Sequence, residues 1–291
     1  MSIFKGIKKI RSFVLLLAFC GLILFPAFCQ ENNLEISFLD VGEGEAIFIK
    51  TPQDKNILID SGNVVSGFKA LNALRDRGVN DLEYLILTHP HLDHIGGVFL
   101  LGQALDIRHI CDNGQDLAEK AESEDIYRYY LNLIRNNKKY RVLSAGDRLN
   151  IGSVNFDIIW PVTPFIFSDW NVNSLVIMIE YNNFRCLLTG DLTSLGEKEL
   201  LRLNSDLGAD ILKVGHHGYI DATSEEFLGQ VRPEVAIISI DKGNIRGYPS
   251  EKIVKRLEDT GSQVFQTAKS GDITVVVEDN GHYFVETSQT R

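Results

Sequence analysis

The chain has 291 residues, 44% of them hydrophobic, and 39 acidic residues outnumber 29 basic ones for a formal net charge of −10. That length suffices for one domain with a large core. The acidic balance argues against a protein that holds a polyanion by charge alone, and four cysteines are too few for a disulfide scaffold.

In chain order, residues 1–29 come first and read as a separate object. Lys5, Lys8, Lys9 and Arg11 precede an apolar stretch from Phe13 to Cys29 that contains Gly21, with Pro26 near its end, and no acid occurs before Glu31. A basic start, an apolar middle and Ala27 and Cys29 placed before a cut fit a secretory signal peptide. An uncleaved anchor through residues 13–29 is the alternative, since about 17 apolar residues is the short limit for a span. Either way the body, residues 30–291, is expected to be exported, facing outward from the inner membrane. With the four leader cations set aside, 25 basic residues face 39 acidic ones, a net charge of −14. Cys111 and Cys186 then remain, and both are expected as buried thiols.

Strands are expected near 34–39, 45–50, 56–60 and 84–88, with a helix near 67–77. Further strands follow near 154–159, 174–181, 184–189, 210–214 and 235–240, and helices near 194–203, 224–230 and 250–258. Helices that recur after paired strands in both halves predict an α/β fold with two sheets face to face and helices outside.

The chemistry sits where strands end. Tyr84-Leu85-Ile86-Leu87 runs into Thr88-His89-Pro90-His91-Leu92-Asp93-His94, four candidate metal ligands in six positions. Imidazole mixed with carboxylate suits Zn²⁺, Mn²⁺ or Fe²⁺ and suits Ca²⁺ or Mg²⁺ poorly. The strand at 184–188 runs into Asp191, and that at 210–214 into His216 and His217. Asp60 follows Ile57-Leu58-Ile59, placed to orient a ligating histidine or merely to form a turn. Between Ile126 and Arg141 five cations, Arg128 and Arg135 among them, interleave with four tyrosines. A helix dipole with cations toward its end explains much of that pattern, and single-stranded nucleic acid would use the same residues.

These residues together resemble the metallo-β-lactamase superfamily. The segments 38–46, 57–62, 88–97, 173–176, 188–191 and 212–218 are similar in order and spacing to the metallo-β-lactamase domain of bacterial competence proteins that take up DNA. The resemblance covers about residue 34 to residue 277 and implies an αββα four-layer sandwich of two mixed sheets. It further implies two divalent transition-metal ions, Zn or Mn. His89 and His91 would hold the first; Asp93, His94 and one of His216 and His217 the second; Asp191 would bridge them. Asp93, Asp191 and His217 are the expected catalytic residues, with Asp40, Asp60 and Asn173 behind the ligands. No histidine lies between His109 and His216, so the additional first-metal histidine of many superfamily members is missing, and Asn173 is the corresponding polar residue. Tyr219 and Tyr248 stand where the branch usually has Ser and His. With Lys213, Arg128 and Arg135 they are the candidate substrate contacts.

The expected activity is metal-dependent hydrolysis of a phosphodiester, first of DNA or another nucleic acid. An envelope polymer or small diester is the rival substrate, and a non-catalytic metal-binding surface module the rival class.

Overall fold

Alternation in the first strand sets the layering. Leu34, Ile36 and Phe38 of β1 (Leu34–Phe38) all enter one apolar layer. The computed structural model describes residues 33–204 and 206–289, and the leader expected at 1–29 lies outside them. The strands that follow are β2 (Ile47–Lys50), β3 (Asn56–Ile59), β4 (Asp81–Ile86), β5 (Asp106–Asp112) and β6 (Tyr140–Val142). The second half supplies β7 (Arg148–Ile151), β8 (Val154–Trp160), β9 (Val176–Tyr181), β10 (Phe184–Leu188), β11 (Ile211–Lys213), β12 (Val235–Ile238) and β13 (Gln263–Gln266). The chain then returns to the first sheet as β14 (Ile273–Val277) and β15 (Tyr283–Thr287).

One sheet has the order β15-β14-β1-β2-β3-β4-β5-β6 and the other β13-β12-β11-β10-β9-β8-β7. Both are mixed: β3 to β6 run parallel in the first, β10 to β13 in the second, and the remaining pairs are antiparallel. Period-two patterning separates the faces. Ile57, Ile59, Ile177 and Ile179 fill the layer between the sheets, while Leu58 faces the helices of the first half and Val176 and Met178 those of the second. Helix Gly67–Asp76 covers the first sheet; helices Ser194–Leu203, Glu225–Val231 and Glu251–Asp259 cover the second. The result is the expected αββα sandwich.

Cys111 and Cys186 are free and buried in the layer between the sheets. Among the described residues no helix is long and apolar enough to cross a membrane.

The segment 126–141 departs from a simple basic face. It forms helix Asp125–Tyr130, a π-helical turn Leu131–Arg135 and then β6. Asp112, at the end of β5, accepts hydrogen bonds from Tyr130 Oη (2.8 Å), Arg135 Nε (2.8 Å) and Tyr140 Oη (2.6 Å). Arg135 also donates to the Gln115 carbonyl. Arg135 is therefore a brace of the first half and not a substrate contact, because a buried carboxylate needs its partners more than a solvated ligand does. Arg128 pairs with Asp125 at 3.2 Å on the exposed side of its helix.

Candidate metal centre

Donors are delivered at the carboxyl ends of the parallel strands, where α/β sheets place their sites. After β4 the chain turns into a four-residue helix, Leu92–Ile95, which carries Asp93 and His94. The first turn is locked from below. Ser61 N and Oγ both donate to His94 O, at 2.8 and 2.7 Å, and Glu45 N donates to Asp93 O at 3.1 Å. Gly44 sits at φ +103 so close to this loop that a Cβ would fall 2.1 Å from Asp93 O. Only glycine fits there.

Two groups of ring nitrogens result, with Asp191 between them. His89 Nε2 and His91 Nδ1 face each other at 3.0 Å. Asp93, His94, Asp191 and His217 form a second cluster whose donor atoms all lie within 4.8 Å of one another. One Asp191 oxygen is 3.3 Å from His94 Nε2 and 3.8 Å from His89 Nε2, and the other is 3.6 Å from His217 Nε2. Asp93 Oδ2 lies 3.7 Å from His217 Nε2. His94 Nε2, His217 Nε2 and Asp191 Oδ1 are buried without any hydrogen-bond partner. Three orphaned donors aimed at one point fit a divalent cation, since buried polar atoms otherwise find partners.

The outer hydrogen bonds fix which nitrogen faces inward. Asp60 accepts from His94 Nδ1 (2.7 Å), from Thr88 N (2.7 Å) and from Thr88 Oγ1 (2.8 Å). His217 Nδ1 donates to Ser239 O at 2.8 Å. Each imidazole therefore turns Nε2 to the cluster, the arrangement typical of ligating histidines. His216 and His217 hold left-handed backbone at φ 48 and 53, a conformation that costs non-glycine residues energy and persists only where surroundings impose it.

Of the two adjacent histidines, His217 enters the cluster. His216 Nδ1 instead bonds Asp221 at 2.8 Å, and its Nε2 meets Asn171 Nδ2 at 3.3 Å. Three further sequence expectations need correction. Asn173 donates to Phe167 O and braces its own loop, whereas Asn171, two residues earlier, is the amide beside His91 and His216. Asp40 follows β1, its backbone N donates to Asp272, and its charged neighbours are Lys69, Asp272 and Asp241, none of them a donor of the cluster. Lys213 is fully buried and cannot meet substrate. Its ammonium pairs with Glu45, donates to Gly190 O (2.9 Å) and stands 3.9 Å from Asp191 Oδ1.

Several residues carried no sequence signal. Ser239 acts through a backbone carbonyl, which leaves no trace in side-chain identity. Trp170 packs edge-on to His91 at 5.2 Å, as one aromatic among many. Glu45 had a readable cue, a charge set between Gly44 and the apolar run Ala46-Ile47-Phe48. Tyr248 lines both cavities that open on the cluster, of about 290 and 330 Å³, and the Tyr219 ring lies tilted against it, centroids 5.0 Å apart.

Charges sort by position. Burial lowers His89 well below the usual imidazole range and lowers His91 too, with His94 adding to both. Burial also opposes charge on His94 and His217, but Asp191 overrides it and both are raised, helped by Asp60 at His94 and Asp93 at His217. Burial pushes Asp191 and Asp93 up, and His94 and His217 more than reverse this, so both carboxyls are lowered. Without metal, the carboxylates of Asp191, Asp60 and Asp93 thus favour protons on His94 and His217, and a cation competes with those protons. Metal uptake is expected to release protons and to tighten as pH rises, because higher pH removes the competing protons. Calorimetry of Zn²⁺ binding in buffers of different ionisation enthalpy measures this, and uptake without proton release would contradict the assignment of His94 and His217.

With this geometry, the chain belongs to the metallo-β-lactamase superfamily, whose family description matches residues 39–241. ComE operon protein 3 of Bacillus subtilis is 30% identical over 275 residues, covering 87% of this chain and 35% of that protein. Competence protein ComA of Neisseria gonorrhoeae is 28% identical over 261 residues, covering 89% of this chain and 34% of that protein. The chain therefore spans about a third of the length of these curated relatives. A CmlA β-hydroxylase variant, 10% identical, superimposes with a TM-score of 0.55 over 84% of this chain and 54% of its own, a likeness of fold alone.

Proposed function

We propose that the chain is an exported, dinuclear metal-dependent phosphodiesterase with DNA as its first substrate. The observation that carries the hydrolase reading is the convergence of three orphaned buried atoms, on His94, His217 and Asp191, beside the facing nitrogens of His89 and His91. DNA is supported by the name of the gonococcal relative, a competence protein.

His89 and His91 would hold one ion, Asp93, His94 and His217 the other, and Asp191 would stand between. Divalent ions there would supply Lewis acidity and lower the pKa of a bound water toward neutrality. The residues do the rest. Asp60 and Ser239 hold two imidazoles in the tautomer that presents Nε2, Asp191 offsets cationic charge, and Tyr248 walls the approach on the side of His217.

The charge of −14 outside the leader favours a second reading, a small diester or envelope polymer in place of long DNA. A panel of single-stranded DNA, bis-p-nitrophenyl phosphate and nitrocefin separates these. Cleavage of both phosphodiesters is the expected outcome, cleavage of the small ester alone selects the second reading, and nitrocefin turnover without diester cleavage defeats both.

A further inference from the structure

The entrance to the cluster is lined by carboxylates: Glu43, Asp93 and Asp241 around one cavity, Asp93 and Asp191 around the other. An anionic substrate meets repulsion there unless a cation receives its outward oxygens. Among the described residues lining both cavities there is one Lys or Arg side chain, Arg246. We infer that Arg246 grips the non-bridging oxygens of a phosphate group, and that Glu43 holds this guanidinium at the rim until the phosphate displaces it. The assignment rests on the phosphodiester reading above.

The loop between β12 and helix Glu251–Asp259 is built to present this residue. Asn244 N donates to Asp241 O (3.2 Å), Arg246 N to Asn244 Oδ1 (2.8 Å) and Asn244 Nδ2 to Tyr248 O (2.6 Å). These bonds brace the turn on both sides of Arg246. Glu43 comes from the opposite sheet, in the loop between β1 and β2, where its carbonyl accepts from Ser66 Oγ at 2.8 Å. Arg246 Nη2 meets Glu43 Oε1 at 2.9 Å, so the pair crosses the mouth from one half of the fold to the other. Both side chains are more than half exposed, at 59% and 51%. Such a pair is weak and screened by salt, which makes it displaceable. A phosphate offers two oxygens to the guanidinium fork, a stronger and more directional partner than one exposed carboxylate.

The test compares Arg246→Ala, Arg246→Lys and Glu43→Gln in the full-length, metal-loaded chain, with metal content as the control for folding. Two readouts are taken: KM and kcat for bis-p-nitrophenyl phosphate, and the Kd of inorganic phosphate by calorimetry. Arg246→Ala is expected to raise both KM and phosphate Kd by about tenfold or more, with the loss falling mainly on KM, and lysine to restore part of it. Glu43→Gln is expected to tighten phosphate by about two- to fivefold, the reverse sign, since it removes the competitor. Wild-type KM and Kd in Arg246→Ala overturn the proposal and leave a surface ion pair. Phosphate binding that depends on Arg246 in a chain that cleaves no diester keeps the grip and rejects the phosphodiesterase reading, so the two can fail separately.

Discussion

Asp191→Asn is expected to lower turnover of bis-p-nitrophenyl phosphate by about a thousandfold or more, the several kcal/mol that metal-centred charge stabilisation contributes. The substitution keeps the shape of the side chain and its backbone N–H bond to Ser174 Oγ, so the fold is expected to survive. What it deletes is the negative charge shared by His89, His94 and His217. Metal content should fall with activity, and circular dichroism should stay unchanged. Equal turnover in mutant and wild type would remove Asp191 from the mechanism.

Lys213→Met is expected to destabilise the protein by about 3–5 kcal/mol, because it strands the buried Glu45 carboxylate without its cation. Burial already pushes the Glu45 carboxyl up, Asp60 adds to this, and Lys213 is what opposes it most. In the mutant the carboxyl rises further and takes up a proton more readily. A group whose folded pKa is raised costs stability in full above that pKa, and the cost fades to nothing as the pH falls to its unfolded pKa. The deficit measured by urea unfolding should accordingly shrink as the pH is lowered from about 8 to about 5. A deficit independent of pH would show that lost packing dominates.

The layered fold was readable because apolar residues alternate cleanly, as in Leu34-Glu35-Ile36-Ser37-Phe38, and because buried strands run straight into polar junctions. Helix Ser194–Leu203 falls on its expected limits, and three others fall within one residue of theirs. Strands β7 and β13 are four residues long and half polar, too short for a periodic signal, and β5 mixes Asp106, Arg108 and His109 with its apolar positions. At the site, ligand types were legible because donor chemistry is confined to a few residues. Support was not: Ser239 acts through main chain, and only the fold shows Asn171 in place of Asn173 beside His91. The cations of 126–141 looked free in the sequence since Asp112, which gathers Arg135 with two tyrosines, lies 23 residues earlier.

The donors are divided between the two sheets. His89, His91, Asp93 and His94 descend from the first sheet, Asp191 and His217 from the second, and neither half alone owns a complete set. A slip of one residue in the pairing of β10 with β9 would turn every side chain of β10 to the opposite face and carry Asp191 out of register. A full set of donors is therefore assembled only where the two sheets are docked. The His-x-His-x-Asp-His run alone would hold an ion with the donors of one half only.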